Sequence, residues 1–348
     1  HKKLLAIGNL KQPVHAWGEI YTGISAKDYM DGTSNFYGVH SVTLYVDSVQ
    51  VFNSTTDKVL PDENRMINGF TDYEELTRTR RLIMRSYKLP GNRLRLLHTN
   101  ESRGAVTIDE ERDYHFRYVL EDNFGNRRTY QFTVKGKRQD IPEYKPEANE
   151  MLYWNRTNVI QKPGMELVVP RYYVYEDVPL HTDVRGDSSH IAFDYILDAG
   201  RTPIHSYCDL SIGLRHMPVA DTTKYYIVQK AGKWRSSMGG KYANGWIKTR
   251  VRSLGTFSVG VDTIAPQITP IGQGGWRTSR NIRFRIKDME SGIGSYKVYI
   301  DGKFVLFGLK KGILVIQDPE KVKKGVSHKL EVTVTDQCGN MTRKEYKF

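Results

Sequence analysis

Histidine and carboxylate pairs are the first places to look for chemistry in this chain. His190 with Asp194, and His205 with Asp209, stand four residues apart. On a strand that spacing puts both side chains on one face, so two such strands side by side could gather a His/Asp metal site. Polar pairing across strands on a solvent face is the favoured reading. His181, Asp183, Asp187 and His190 lie in one polar stretch, which reads as a solvated loop. Its Arg185-Gly186-Asp187 tripeptide reads as a turn before an adhesion signal. Ser206 lies beside His205 and near Asp209, but neighbours on a strand face opposite ways and there is no G-x-S-x-G elbow. No serine triad is expected. Glu74-Glu75 and Glu110-Glu111 read as a helix start and a turn, since paired catalytic carboxylates would have to face each other across a cleft.

Charge gives a second lead. Lys and Arg number 52 against 39 Asp and Glu, a net +13. From Thr263 onward, 16 Lys and Arg stand against 8 acids, so the last 86 residues hold +8 of the surplus. Arg283, Arg285 and Lys287 alternate with Ile282, Phe284 and Ile286, which puts three cations on one strand face. A solvated outer face is the plainer reading, and an anion-binding face the functional one. Trp17, Trp154, Trp234, Trp246 and Trp276 are candidates for stacking on sugars or for packing. Trp276 follows Gly274-Gly275 among the arginines and is taken as the surface ring of that face. The balance suits an anionic partner: nucleic acid, an acidic membrane face or a cell-wall polymer. No phosphate loop, RNP-like run or zinc finger occurs, so specific nucleic-acid binding has no support. No apolar run approaches the roughly 18 residues of a membrane span. Two cysteines exclude a disulfide framework and a Cys-based zinc site. Cys208 and Cys338 read as packed residues, with a bridge between them the lesser alternative.

The elements that must position these residues are strands. Tyr and Phe, 22 and 12 in number, sit among Val, Ile and Thr. An internal repeat organises them. Lys27-Asp28 is followed by SVTLYVD (Ser41 to Asp47), and Lys287-Asp288 by SYKVYID (Ser295 to Asp301). Phe116, Tyr118 and Leu120 then lead into Asp122-Asn-Phe-Gly125-Asn126. Leu330, Val332 and Val334 lead into Asp336-Gln-Cys-Gly339-Asn340. Each is a strand running into a turn where Asp bonds amides and Gly supplies a positive φ. Between the signatures of the first copy, Thr71 to Glu74 reads as a capping box opening a helix from Glu74 to Tyr87. Its buried face would be Leu76, Leu82, Ile83 and Met84, and Pro90-Gly91 would stop it. The expected fold is mainly β: tandem immunoglobulin-like sandwich modules at 1–138, 139–262 and 263–348, with a helical insertion near 71–87 in the first. Beginning at His1, the chain is expected to be a mature or excised piece.

Several ordered segments are familiar: the run from Gly23 through Lys27-Asp28 to Asp47, Val106 to Asn126, YWNRTN (Tyr153 to Asn158), GMELVVP, GWIKTRVRSLGTFSV and VDTIAP. Together they resemble the region downstream of the catalytic domain in secreted lysostaphin-type (LytM-like) zinc endopeptidases of Bacteroidetes. The resemblance spans essentially the whole chain. It implies a non-catalytic, secreted cell-envelope accessory region in the periplasm or at the envelope. Its partners would be peptidoglycan or another anionic envelope polymer and its own upstream peptidase domain, with residues 1–14 as the exit from that domain. The family's zinc ligands, an H-x-x-x-D with central Gly and an H-x-H, are missing here, since no two of the ten His are separated by one residue. Zinc is therefore expected only in the upstream domain, and no cofactor in this chain. The alternative is a stand-alone surface or adhesion module binding a glycan or protein.

Overall fold

Period-two alternation is clearest in strands such as Ser41–Val46 and Lys329–Asp336. The computed structural model describes residues 14–29, 36–143, 145–187 and 189–348. The segment 1–14, expected as an exit from an upstream domain, lies outside the described residues apart from Val14. The chain forms two compact units: His1–Asn158 with Val169–His181 and Ala199–Tyr207, and Val159–Val168 with Thr182–Asp198 and Cys208–Phe348. The fold is mainly β, in tandem sandwich-like modules.

The first unit holds strands β1 (Val14–Ala16), β2 (Ser41–Val46) and β3 (Val49–Thr55), short helices α1 (Ile67–Phe70) and α2 (Tyr73–Thr79), then β4 (Leu97–Thr99), β5 (Asp113–Glu121) and β6 (Arg127–Gly136). The sheet order is β1-β6-β5-β2-β3-β4, with β1 parallel to β6. Val42, Leu44 and Val46 alternate inward, opposite Leu120, Tyr118 and Phe116. Tyr175 joins this core from later in the chain. Its hydroxyl donates to the Arg65 carbonyl at 2.8 Å, and its own carbonyl accepts from Gly91 N–H at 2.7 Å. A Cβ on Gly69 would lie 2.7 Å from the Tyr175 ring, so the helix can approach only through a glycine there.

The helical insertion is shorter than the sequence suggests. Its cap is Asp72, whose carboxylate accepts from Glu75 N–H at 3.2 Å, and not Thr71, which is buried. The helix ends at Arg80 in the left-handed region (φ 66°). Thr77 and Thr79 turn their hydroxyls back onto the carbonyls of Tyr73 and Glu75 at 2.8 and 2.9 Å, an arrangement that weakens a helix interior. Leu82 to Met84 are released from it, and Met84–Arg85 pairs instead with Gly23–Ile24.

Residues 158–261, most of them in the second unit, supply β7 (Asn158–Lys162), β8 (Met165–Val169), β9 (Val178–Arg185), β10 (Asp194–Asp198), β11 (Cys208–Gly213), β12 (Tyr225–Ala231), β13 (Trp234–Ser237), β14 (Lys241–Ala243), β15 (Trp246–Val251) and β16 (Gly255–Val261) in two sheets. One contains the order β9-β10-β16-β12-β13 and the other is β7-β8-β11-β15-β14. The same unit continues into β17 (Gln267–Ile271), α3 (Trp276–Ser279), β18 (Arg283–Lys287), β19 (Ile293–Ile300), β20 (Lys303–Phe304), β21 (Phe307–Lys310), β22 (Ile313–Ile316), β23 (Lys329–Asp336) and β24 (Met341–Lys347). Here the sheets are β17-β18-β22-β21 and β20-β19-β23-β24, enclosing Trp276, Phe284, Leu314 and Val332.

The two repeat copies share their hydrogen bonds. Asp47 and Asp301 both sit at positive φ, 47° and 49°. Asp47 exchanges N–H to carbonyl and carboxylate to N–H bonds with His115 at 2.9 and 2.8 Å; Asp301 does the same with Lys329 at 2.8 and 2.9 Å. In the later turns, Asp122 Oδ1 accepts from Phe124 and Asn126, and Asp336 Oδ1 from Cys338 and Asn340. Gly125 and Gly339 carry the positive φ, 84° and 80°.

The second copy adds a titrating group. His328 is buried, with Nδ1 2.6 Å from Asp301 Oδ2 and Nε2 2.8 Å from the Lys323 carbonyl oxygen. Both nitrogens face acceptors, so the ring must carry two protons to satisfy them. Burial alone would lower its pKa, and the Lys323 charge pulls the same way. The bonds to Asp301 and to the Lys323 carbonyl outweigh both and hold it above the usual histidine value. A raised folded pKa gives stability that is complete below the unfolded value of about 6.5 and is lost as pH climbs through the folded one. The thermal midpoint is expected to fall as pH rises above about 6.5, and this part of the decline to vanish in His328→Gln. Unfolding scans across that range check it, and an identical slope in the variant would sink the assignment.

Candidate anion-binding face

The alternation Arg283-Phe284-Arg285-Ile286-Lys287 divides β18 as expected. Phe284 and Ile286 are buried, and the three cations are exposed. Neighbouring strands extend the face. Arg285 lies between Thr269 on β17 and Ile313 on β22, and Ile313 is opposite Lys310 on β21. Arg283 lies between Ile271 and Val315, and Lys287 beside Gln267. Residues directly opposite in antiparallel strands share a face. The outer face thus carries four cations with Thr, Gln and apolar neighbours, and none of these positions is acidic. Arg283, Arg285, Lys287 and Lys310 have no ion-pair partner among the described residues. Alternate residues along a strand are about 7 Å apart, so the β18 cations form a row of roughly 14 Å.

Trp276 does not belong to this face. The chain after Gly272 (φ 65°) coils into α3 and carries the ring inward, where it is 1 % exposed. Its Nε1–H donates to the Ile271 carbonyl at 2.9 Å, and the ring packs edge-on to Phe284, Tyr346 and Phe348. The exposed tryptophan is Trp234, 81 % exposed where β13 leaves a two-residue turn at Gly232-Lys233. The turn dipeptide Gly-Lys beside a strand was the signal for it, with Gly232 at φ 59° and Lys233 on the ordinary side.

The His and Asp candidates are not gathered. His190 Nδ1 bonds Asp187 Oδ1 at 3.0 Å, while Asp194 pairs with Lys230 at 2.5 Å. His205 Nδ1 meets the Tyr175 hydroxyl at 2.9 Å, and Asp209 sits opposite Arg250 on β15. His181 is exposed, Asp183 pairs with Arg185, and Ser189 and His190 hold the Asp187 carboxyl well below the usual range. Glu75 is committed to Arg78 and Thr79, and Glu110 to Arg112. Neither cysteine is in a disulfide. Cys208 is buried opposite Val251, and Cys338 packs on Tyr226 and Val228.

One carboxylate group emerges that sequence spacing did not show. Asp262, Asp288 and Asp336 bring ligand oxygens within 4.8 Å of one another, the one such set of His, Cys, Asp or Glu among the described residues. Oxygen donors of this kind suit a hard divalent cation better than zinc. Each carboxylate also ties a turn. Asp262 Oδ2 accepts from Ser291 N–H and Oγ–H at 3.0 and 2.5 Å, and its Oδ1 from Ile264 N–H at 3.0 Å. Asp288 Oδ1 accepts from Glu290 and Gly292 at 3.1 and 2.7 Å. Asn340 Nδ2 bridges Asp336 Oδ2 and the Asp262 carbonyl at 2.7 and 3.0 Å.

Residues 149–262 match the family model of a Zu5-like domain. No curated protein sequence matches the chain. Among solved structures, the chain is similar to a Ca2+-stabilized adhesin that helps an Antarctic bacterium reach out and bind ice. Identity is 10%, coverage 97% of this chain and 96% of that one, and the TM-score 0.18. A structure bearing on host cell surface retention of a 1.5-MDa bacterial ice-binding adhesin aligns at 10% identity, covering 90% and 86%, with a TM-score of 0.15. SGBP-B of the Bacteroides ovatus mixed-linkage glucan utilization locus, in complex with a mixed-linkage heptasaccharide, aligns at 11% identity, covering 88% and 59%, with a TM-score of 0.16.

Asp262 is 1 % exposed, and its removal would leave buried donors on Ser291 unsatisfied. Asp262→Ala is expected to cost roughly 3 kcal/mol of unfolding free energy. Urea titration measures it, and a loss within about 0.5 kcal/mol would show that these bonds do not hold the turns together.

Proposed function

We propose that the chain is a surface adhesion module that binds an anionic glycan or related envelope polymer through the outer face of β17, β18, β22 and β21. The observation that carries this is the row of unpaired cations without an acid among them. A flat sheet face of this kind suits an extended polymer with repeating negative charge. Thr269 and Gln267 offer hydrogen bonds to hydroxyls between the charges, and Ile313 and Val315 give apolar ground for sugar rings. No helix among the described residues is long and apolar enough to cross a membrane. A secreted, envelope-facing location fits the proposal.

The sequence resemblance favours one second reading. The same face would hold an attached lysostaphin-type zinc peptidase on peptidoglycan. Zinc and hydrolysis would then belong to that domain, since the His and Asp candidates of this chain are not gathered.

A cation close to an anionic surface contributes about 1 kcal/mol, so replacing three should weaken retention on the order of 100-fold. The chain is expected to sediment with insoluble peptidoglycan at about 50 mM salt and to be released near 1 M, where charges more than about 3 Å apart are screened. Replacing Arg283, Arg285 and Lys287 with Ser together should abolish the low-salt retention. Absence of retention at low salt, or retention unchanged in the triple variant, would overturn the proposal.

A further inference from the structure

A cleft in the same unit differs in kind from the basic face. It measures about 340 Å³ and is lined by β12, β13 and β16 and by the segments at Asp262 and Glu290. Its size falls at the lower end of small-ligand pockets. Gly260 shapes its floor. A Cβ on Gly260 would lie 2.7 Å from the Tyr226 ring, so the ring can rest across β16 only because that position has no side chain. Val228, Val259, Ile191 and Ile264 supply apolar walls.

The two ends of the cleft have opposite charge. Lys230 and Arg235 are directly opposite each other on β12 and β13. Lys230 is neutralised by Asp194, whereas Arg235 has no acidic partner among the described residues. At the other end Glu290 accepts a hydrogen bond from the Tyr226 hydroxyl at 3.1 Å. Burial, reinforced by the Glu290 charge, pushes the Tyr226 phenol well above its usual pKa, so it stays a neutral donor to the Glu290 carboxylate. Asp262 lies nearby, but both its oxygens are occupied by Ser291 and Ile264. Tyr226 and Lys230 are four strand residues apart, about 13 Å between Cα atoms.

A ligand matching this pattern has a carboxylate for Arg235, an ammonium for Glu290 and an apolar side chain for the Val228, Val259, Ile191 and Ile264 walls. A neutral sugar would leave both charges unanswered, and an acidic sugar would set its hydroxyls but no cation against Glu290. We infer that this cleft binds a small zwitterion: an amino acid or a dipeptide with free ends. The site is separate from the polymer-binding reading, because every cation of the β18 face remains in the variants below.

Calorimetric titration of the full chain with leucine, leucyl-leucine, N-acetylleucine and leucinamide tests it. Leucine or leucyl-leucine is expected to saturate the protein at millimolar concentration, and each singly capped form to bind at least about 10-fold more weakly. Arg235→Ala should weaken the free zwitterion about 10-fold and leave leucinamide unchanged, while Glu290→Gln should weaken it similarly and leave N-acetylleucine unchanged. Both residues are exposed, so the fold should tolerate the changes. No saturable binding of either zwitterion below about 10 mM, or equal binding of the capped forms, would overturn the inference. Retention on peptidoglycan by the same variants reports on the other face independently.

Discussion

A carboxylate that takes backbone N–H groups at the end of a strand is the interaction on which both copies of the repeat close. Asp47 and Asp301 occupy a left-handed backbone position that non-glycine residues rarely adopt, and each secures it by bonding the strand opposite. At the far turn Asp122 and Asp336 take the amides two and four residues on, while Gly125 and Gly339 supply the positive φ. Between these fixed points the strands have one register, and register decides which side chains face out. A slip of one residue on β18 would bury Arg283, Arg285 and Lys287 and expose Phe284 and Ile286. On β18 that register is held by Phe284 and Ile286, which are buried between the outward cations. The second copy carries the motif further. Its turn apex, Cys338, is covered by Tyr226 and Val228, whereas the matching Phe124 of the first copy is 91 % exposed.

Much of this was legible in the residue order. The repeat, the two turns, the all-β class and the outward cations follow from period-two patterning and from Asp and Gly at fixed offsets, which are local rules. Three features were not legible, each for a physical reason. The helix was read to Tyr87 from apolar spacing, but Thr side chains competing for its carbonyls end it at Thr79. Trp276 was read as surface because of its basic neighbours, yet a single helical turn rotates it into the core. Asp262, Asp288 and Asp336 are separated by 26 and 48 positions, so only the closed fold brings them together. The same holds for Tyr175, which completes the core of the first unit and bonds Arg65, 110 positions earlier.

Electrostatics separates the polar groups of the molecule into two kinds. The His and Asp candidates are bound to near neighbours in loops and strands: Asp187 to His190, Asp194 to Lys230 and His205 to Tyr175. Such pairs satisfy polar groups locally. The β18 face is the opposite case. Its cations have no ion-pair partner among the described residues and stand on a strand that Phe284 and Ile286 fix from behind.

The most direct test of this account is a hydrogen-exchange footprint of the full chain with soluble peptidoglycan fragments at low ionic strength. The account predicts slower exchange concentrated in residues 267–271, 283–287 and 307–316. Protection confined to other segments, or no protection at fragment concentrations that saturate retention, would contradict it.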